Sequence, residues 1–221
     1  MQTPEIPEAN HPLIKSLSHY SDQELLTLLQ RHPDAGQYFT ALYCRYSPLV
    51  YTLIRHSARS PVQADYLFSI TWRHLFHELL GLDLSAPGVT LQSWMINVTA
   101  LCINQAELPP AEDIHYALES SPPPLQCFVE RALDQVSPAQ RLMIVMAQTF
   151  RWSEPRIAAY LQAEGEHISA AGVKSQLQAG YASLEAALPE DIRAIYLAGG
   201  KLENHLQGGQ PTPKATESRR D

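Results

Sequence analysis

The sequence predicts an all-α protein of two helical domains joined by a Pro-rich acidic linker, and three observations lead there. Apolar residues recur at three- and four-residue steps along nearly the whole 221-residue chain, and no run alternates as a half-buried strand would. Two helix-start signatures, Ser21-Asp22-Gln23-Glu24 and Ser137-Pro138-Ala139-Gln140, stand ahead of such apolar stripes. Between the stripes, Pro109–Pro124 holds five prolines and three carboxylates with no Lys or Arg, a composition that stays extended and solvated. The expected division is an N-terminal extension over residues 1–19, a helical domain over 20–108, the linker over 109–124, a second helical domain over 125–198 and a disordered tail over 199–221.

In chain order, Ser21 and Glu24 form a capping box, and Leu25, Leu26, Leu28 and Leu29 follow as a buried stripe. Tyr38, Phe39, Leu42, Tyr43 and Tyr46 share one helix face. Pro48 is expected to restart the helix, with Leu49, Val50, Leu53 and Ile54 after it. Phe68, Trp72, Leu75, Phe76 and Leu79 line a long helix that Gly81 is placed to end. Leu91, Trp94, Val98, Leu101 and Cys102 define the last helix of the first domain.

Beyond Leu125, Ser137 and Gln140 make the second box, with Pro138 at the first helical position. Leu142, Val145, Met146 and Phe150 are the expected buried face behind it. Ser153 starts a short helix carrying Ile157, Ala158 and Leu161. Ser169 starts a longer one carrying Val173, Leu177, Tyr181, Leu184 and Leu188, which Pro189 stops. Ile192, Ile195 and Tyr196 mark a final short helix.

The totals set limits on function. A hydrophobic fraction of 45% suits a folded chain, and no apolar run approaches the roughly 18 residues of a membrane helix. The acidic, Pro-containing start MQTPEIPEANHPLIK does not read as a signal peptide, so a cytoplasmic protein is expected. The formal net charge of −7 argues against a strong sequence-independent grip on nucleic acid. Cys44, Cys102 and Cys127 are widely spaced, with no CxxC, and read as small buried hydrophobes. His74 and His77 on one helix lack a third ligand group and read as a polar edge. No P-loop, GxSxG, HExxH or GxGxxG occurs, so no cofactor and no catalytic role are expected.

The tandem helices after Ser153 and Ser169, joined by a Gly-containing turn, make a helix-turn-helix candidate. Together with its surroundings, this segment resembles domain 4 of bacterial sigma factors. The residues that carry the likeness are LDQVSPAQR from Leu133 to Arg141, SEPRIAAYL from Ser153 to Leu161 and GVKSQL from Gly172 to Leu177. In the family these positions read L-x-P-x-x-R, E-I-A-x-x-L and T-V-K-S-R-L. The N-terminal half is similar to sigma domain 2 through Leu42-Tyr-x-Arg-Tyr-x-Pro48, the helix opening at Asp65, and Trp94 within LQSWMIN. Two lobes with no domain between them resemble the small extracytoplasmic-function (ECF) class.

The resemblance implies a transcription initiation factor that binds core RNA polymerase and directs it to promoter DNA, with an anti-sigma protein as a candidate further partner and no membrane contact. It assigns polymerase docking to the helix bearing Asp65, Phe68, Ser69, Trp72 and Arg73. It assigns promoter reading to Ser169, Lys174, Ser175, Gln176 and Gln178, with Arg141 as a backbone contact. The chemistry suits those roles: a recognition helix offers its first turns to the major groove, Gln pairs with adenine, and Lys reaches guanine or phosphate.

The chain also departs from the family pattern. Lys174 is the one cation of its recognition helix, and residues 125–197 hold six cations against eight carboxylates. Seven residues, Gln162–Ile168, separate Leu161 from Ser169, where a tight turn is usual. Asn97–Gln105 lacks cations, and Phe68-Ser69 stands where a Gln-Glu pair is usual. A patch around Lys174 assembled from Arg141, Arg151 and Arg156 would restore charge for DNA. The alternative function is a sigma-like paralogue with reduced DNA binding, acting as a transcription regulator or helical protein-binding adaptor.

Overall fold

A computed structural model of the protein describes residues 5–84, 88–116, 118, 121–197 and 202. Among these it contains ten α-helices and no strand. They are α1 (Pro12–Ser16), α2 (Asp22–Arg31), α3 (Gly36–Ser57), α4 (Pro61–Leu79), α5 (Leu91–Gln105), α6 (Pro123–Leu133), α7 (Pro138–Gln148), α8 (Glu154–Ala163), α9 (Ala170–Ala187) and α10 (Glu190–Tyr196). Short 3-10 turns at Pro7–Asn10 and Ala111–Asp113 complete the order. No described helix is long and apolar enough to cross a membrane.

The capping box at Ser21 forms as its spacing requires. The Ser21 N–H donates to Glu24 Oε2 at 2.7 Å and the Glu24 N–H to Ser21 Oγ at 3.3 Å. The Ser21 hydroxyl, which donates to Glu24 Oε2 at 2.7 Å, and then the Ser21 N–H hold the Glu24 carboxyl below its ordinary pKa. Such a cap contributes about 1 kcal/mol. At Ser137 only half of the box is made: the Gln140 N–H donates to Ser137 Oγ at 3.4 Å, and the Gln140 side chain takes the Ser137 hydroxyl rather than reaching the backbone.

Pro48 does not restart a helix. It lies inside the unbroken 22-residue α3. A proline there forfeits one backbone hydrogen bond, and the continuous buried stripe of Leu42, Tyr46, Val50 and Ile54 outweighs that loss. Around α3 and α4 the aromatics form the centre of the core. Trp72 meets Tyr43 edge-on at 5.0 Å and Phe39 at 5.9 Å, and Phe39 meets Phe76 at 4.7 Å. Tyrosine hydroxyls lie at the rim of this face. Tyr51 donates to Asp65 Oδ1 at 2.8 Å and Tyr46 donates to Asp22 Oδ2. Burial, and then the Asp65 contact, push the Tyr51 phenol up to about 12.

Two helix faces differ from expectation. On α5, Leu91, Met95, Val98 and Thr99 are buried, while Leu101 is exposed and Trp94 is half-buried. On α7, Met143, Ile144 and Met146 are buried while Leu142 is exposed, as is Phe150 just beyond the helix. The helix has turned by about one residue, roughly 100°.

The expected linker is partly structured at both ends. Gln63 Nε2 donates to the Pro109 carbonyl at 3.0 Å, and α6 already begins at Pro123, with Pro123 and Pro124 buried. The expected N-terminal extension also packs, as Glu8, Ile14 and Leu17 are buried. Of the expected tail over 199–221 only Leu202 is described; it is buried, and the rest lies outside the described residues.

The C-terminal helices do not stand apart from the N-terminal ones. Phe128 of α6 meets Phe76 of α4 at 5.3 Å, and Ile192 of α10 packs on Gly36 at the start of α3. Asp191 Oδ2 accepts from the Gln37 N–H at 2.7 Å. One hydrophobic core runs from Leu17 to Leu202.

Candidate nucleic-acid interface

The interface begins with the pairing of α8 and α9. Ile157, Ala158 and Leu161 on α8 and Val173, Leu177, Tyr181 and Leu184 on α9 are all buried, so each helix turns its polar face outward. The long connection between them is pinned rather than loose. Gly165 takes a left-handed φ of 94°, which glycine adopts without steric cost. The Glu166 N–H donates to the Leu161 carbonyl at 2.9 Å, and Gln162 Nε2 spans the turn to the Ile168 carbonyl at 2.7 Å. Ser169 Oγ then caps α9 by accepting from the Gly172 N–H at 3.2 Å.

Ser169, Lys174, Ser175, Gln176 and Gln178 are each exposed along α9 and its cap. Gln176 faces α7, where its Oε1 accepts from Gln140 Nε2 at 3.4 Å. Arg141 does not join them. Its guanidinium bonds the Asp134 carbonyl at 2.9 Å and pairs with the Asp134 carboxylate at 3.3 Å, which ties it to the α6–α7 turn. This ion pair is exposed, with 39% of the Arg141 side chain open to solvent.

Two further arginines lie nearer Lys174. Between the end of α7 and the starts of α8 and α9 lies an open cleft of about 470 Å³, lined by Gln148, Arg151, Trp152, Ser153, Lys174 and Gln178 among others. Arg151 sits there with a left-handed φ of 54°, a conformation that costs a non-glycine residue about 1–2 kcal/mol. The turn is held by the Trp152 N–H, which donates to the Met146 carbonyl at 3.1 Å. Arg156 stacks on the Trp152 ring at 4.5 Å. Phe150 and Tyr160 flank the same ring at 5.7 and 5.5 Å, and both are exposed. The arrangement joins cations, amides and aromatic faces, with Glu154 as the opposing carboxylate of the cleft. It can hold phosphate by charge and contact bases or sugars with the flat groups.

Sequence reasoning named Arg151 and Arg156 only as candidates for a patch and did not assign Gln148. The Phe150-Arg151-Trp152 triplet held a usable signal: two aromatics around a cation ahead of the α8–α9 pair.

The docking set of the N-terminal half is placed differently. Phe68 and Trp72 are fully buried in the aromatic core, so in this conformation they present no contact surface. Asp65 holds the Tyr51 hydroxyl. Ser69 is buried beneath α6 and donates to Gln126 Oε1 at 2.7 Å, and Arg73 pairs with Glu130 at 3.1 Å.

His74 and His77 lie exposed on α4, and among the described residues no group of His, Cys, Asp and Glu gathers closely enough to hold a metal ion. Cys127 is buried and Cys44 half-buried; burial raises both thiols, Cys44 up to about 12. No protein-family model, curated protein or solved structure matches the chain.

Proposed function

We propose that this chain is a sigma factor-like transcription initiation factor that binds core RNA polymerase and presents α9 to promoter DNA. The observation that carries the reading is the α8–α9 pair. Lys174, Ser175 and Gln178 stand exposed on the outer helix, and Lys174 shares a cleft with Arg151. In this reading α9 enters the major groove, where Gln178 and Ser175 meet base edges. Lys174, Arg151 and Arg156 neutralise flanking phosphates, and polymerase supplies the remaining affinity.

Three such contacts give a slope of log K against log salt of about −2.7, so affinity falls about 40-fold between 50 and 200 mM salt. That is modest for a DNA-binding protein. It suits a subunit carried to its site by a larger complex.

A second reading is a sigma-like regulator or adaptor with reduced DNA binding. It is favoured by the cover that α6 places over Ser69 and Arg73 of α4.

In-vitro transcription with core polymerase over a library of bacterial genomic fragments separates the two. New start sites that Lys174→Ala and Gln178→Ala weaken or shift support the initiation factor. Polymerase binding without new transcripts supports the regulator.

A further inference from the structure

Of the Phe, Tyr and Trp side chains among the described residues, Phe150 and Tyr160 alone are exposed, at 58% and 41%. Both lie against one indole. The Phe150 ring is 5.7 Å from that of Trp152 and the Tyr160 ring 5.5 Å, tilted from it by 39° and 60°. Every other such ring is buried or half-buried, so open aromatic surface gathers at this one place. Large apolar side chains that gather at a surface, rather than scatter over it, mark a contact site.

The groups around those rings set the chemistry of the partner. Arg151 stands between Phe150 and Trp152 in the chain, Arg156 lies over the Trp152 ring at 4.5 Å, and Lys174 lines the cleft that Arg151 and Trp152 also line. All three cations are exposed, and none is in a salt bridge among the described residues. Glu154 is the carboxylate of the cleft, and Glu164, one turn past Tyr160 at the end of α8, bounds the face. In a chain of net charge −7, such a local excess of cations selects an anion. An acidic peptide would meet the cations but brings no flat group beside each charge. A polynucleotide brings both. Within a duplex the base faces are stacked on one another, whereas in a single strand they are free to stack on Phe and Tyr.

We propose that the Phe150, Trp152 and Tyr160 cluster is a binding site for unpaired nucleotides, in which Phe150 and Tyr160 each stack on a base while Arg151, Arg156 and Lys174 hold the adjoining phosphates. Trp152 is the fixed support between them: its backbone N–H bonds the Met146 carbonyl at 3.1 Å and Arg156 covers its ring. Stacking and phosphate contacts are common to single-stranded DNA and RNA, so the site takes either. The proposal rests on the nucleic-acid reading of the cleft and requires no polymerase.

The test is fluorescence anisotropy of the purified full chain, without polymerase, from 50 to 200 mM salt. Three labelled probes of about 12 nucleotides share one mixed sequence: single-stranded DNA, single-stranded RNA and the blunt DNA duplex. Phe150→Ala and Tyr160→Ala remove one exposed ring each, and circular dichroism confirms that the variants fold. Phe150→Trp keeps a flat face; Phe150→Leu keeps apolar bulk without one.

The expected result is binding of at least one single strand with a log–log salt slope of about −2, as three phosphate contacts require. Each alanine variant weakens that binding at least about fivefold and changes duplex binding by less than about twofold. Phe150→Trp restores the single-strand affinity and Phe150→Leu does not. Duplex binding with no single-strand binding overturns the proposal and leaves the nucleic-acid reading of the cleft standing. Binding of no probe overturns both. Alanine variants that weaken strand and duplex equally overturn the stacking. So does a Phe150→Leu protein that binds as wild type, which would mark the face as an apolar surface for a protein partner.

Discussion

Gly36→Ala tests the joint between the two halves most sharply. A Cβ at Gly36 would lie 2.2 Å from Ile192 Cγ1, 2.3 Å from Cδ1 and 3.0 Å from Phe128 Cε2. No real contact is that short, and Ile192 is fully buried, so the neighbour cannot swing into solvent. Overpacking of this kind costs about 1–3 kcal/mol. Against it stands the backbone gain of alanine over glycine in a helix, about 0.5–1 kcal/mol at an interior position and less at the first residue of α3. The net is a loss of about 1–2 kcal/mol, or about 2–8 °C in Tm for a chain of this size. Thermal and urea unfolding measure it. Pairing the change with Ile192→Val should recover part of the loss, giving a coupling of at least about 0.5 kcal/mol in a double-mutant cycle. A Gly36→Ala protein as stable as wild type, or a cycle that is additive, would refute the docking of α10 on α3.

Other predictions address separate parts of the molecule. Lys174→Ala should weaken DNA binding at low salt and flatten the log–log salt slope by about 0.9, as loss of one phosphate contact requires, measured by titration of a labelled duplex from 50 to 200 mM salt. An unchanged slope would remove Lys174 from the interface. Ser21→Ala should cost about 1 kcal/mol by urea unfolding through loss of the α2 cap, and a change within error would show the cap to be idle. Burial raises the Glu8 carboxyl above its ordinary 4.5, so the native chain keeps a proton that the unfolded chain has released once the pH passes that value. This contribution is complete below pH 4.5 and is lost as the pH climbs through the raised folded value. Glu8→Gln, neutral throughout, should therefore gain stability relative to wild type between pH 4 and pH 8. Parallel stability profiles for the two proteins would reject that assignment.

What could be read in the sequence was local. Ser21 and Glu24 fix the start of α2 through contacts three residues apart, and Ser169 does the same for α9. The face of α9 was legible because Lys174, Ser175 and Gln176 separate Val173 from Leu177, which leaves one phase for the helix. On α7 the run Leu142–Met146 is apolar at every position, so periodicity could not choose the phase, and the structure turns Met143 and Ile144 inward instead of Leu142. The left-handed turn at Arg151 contains no Gly or Asn to announce it. The cover of α6 over α4 depends on pairs such as Ser69 with Gln126, 57 residues apart, which no local pattern encodes. The pairing of Arg73 with Glu130, also 57 residues apart, was illegible for the same reason.

The proposed function requires that this helical chain engage core RNA polymerase. The direct measurement is size-exclusion chromatography of the purified full-length protein mixed with purified bacterial core polymerase, with the bound fraction quantified in each peak. Co-elution of the protein with polymerase at micromolar concentration is the expected result. Absence of the protein from the polymerase peak would contradict the proposed function and leave a helical protein whose partner must be sought elsewhere.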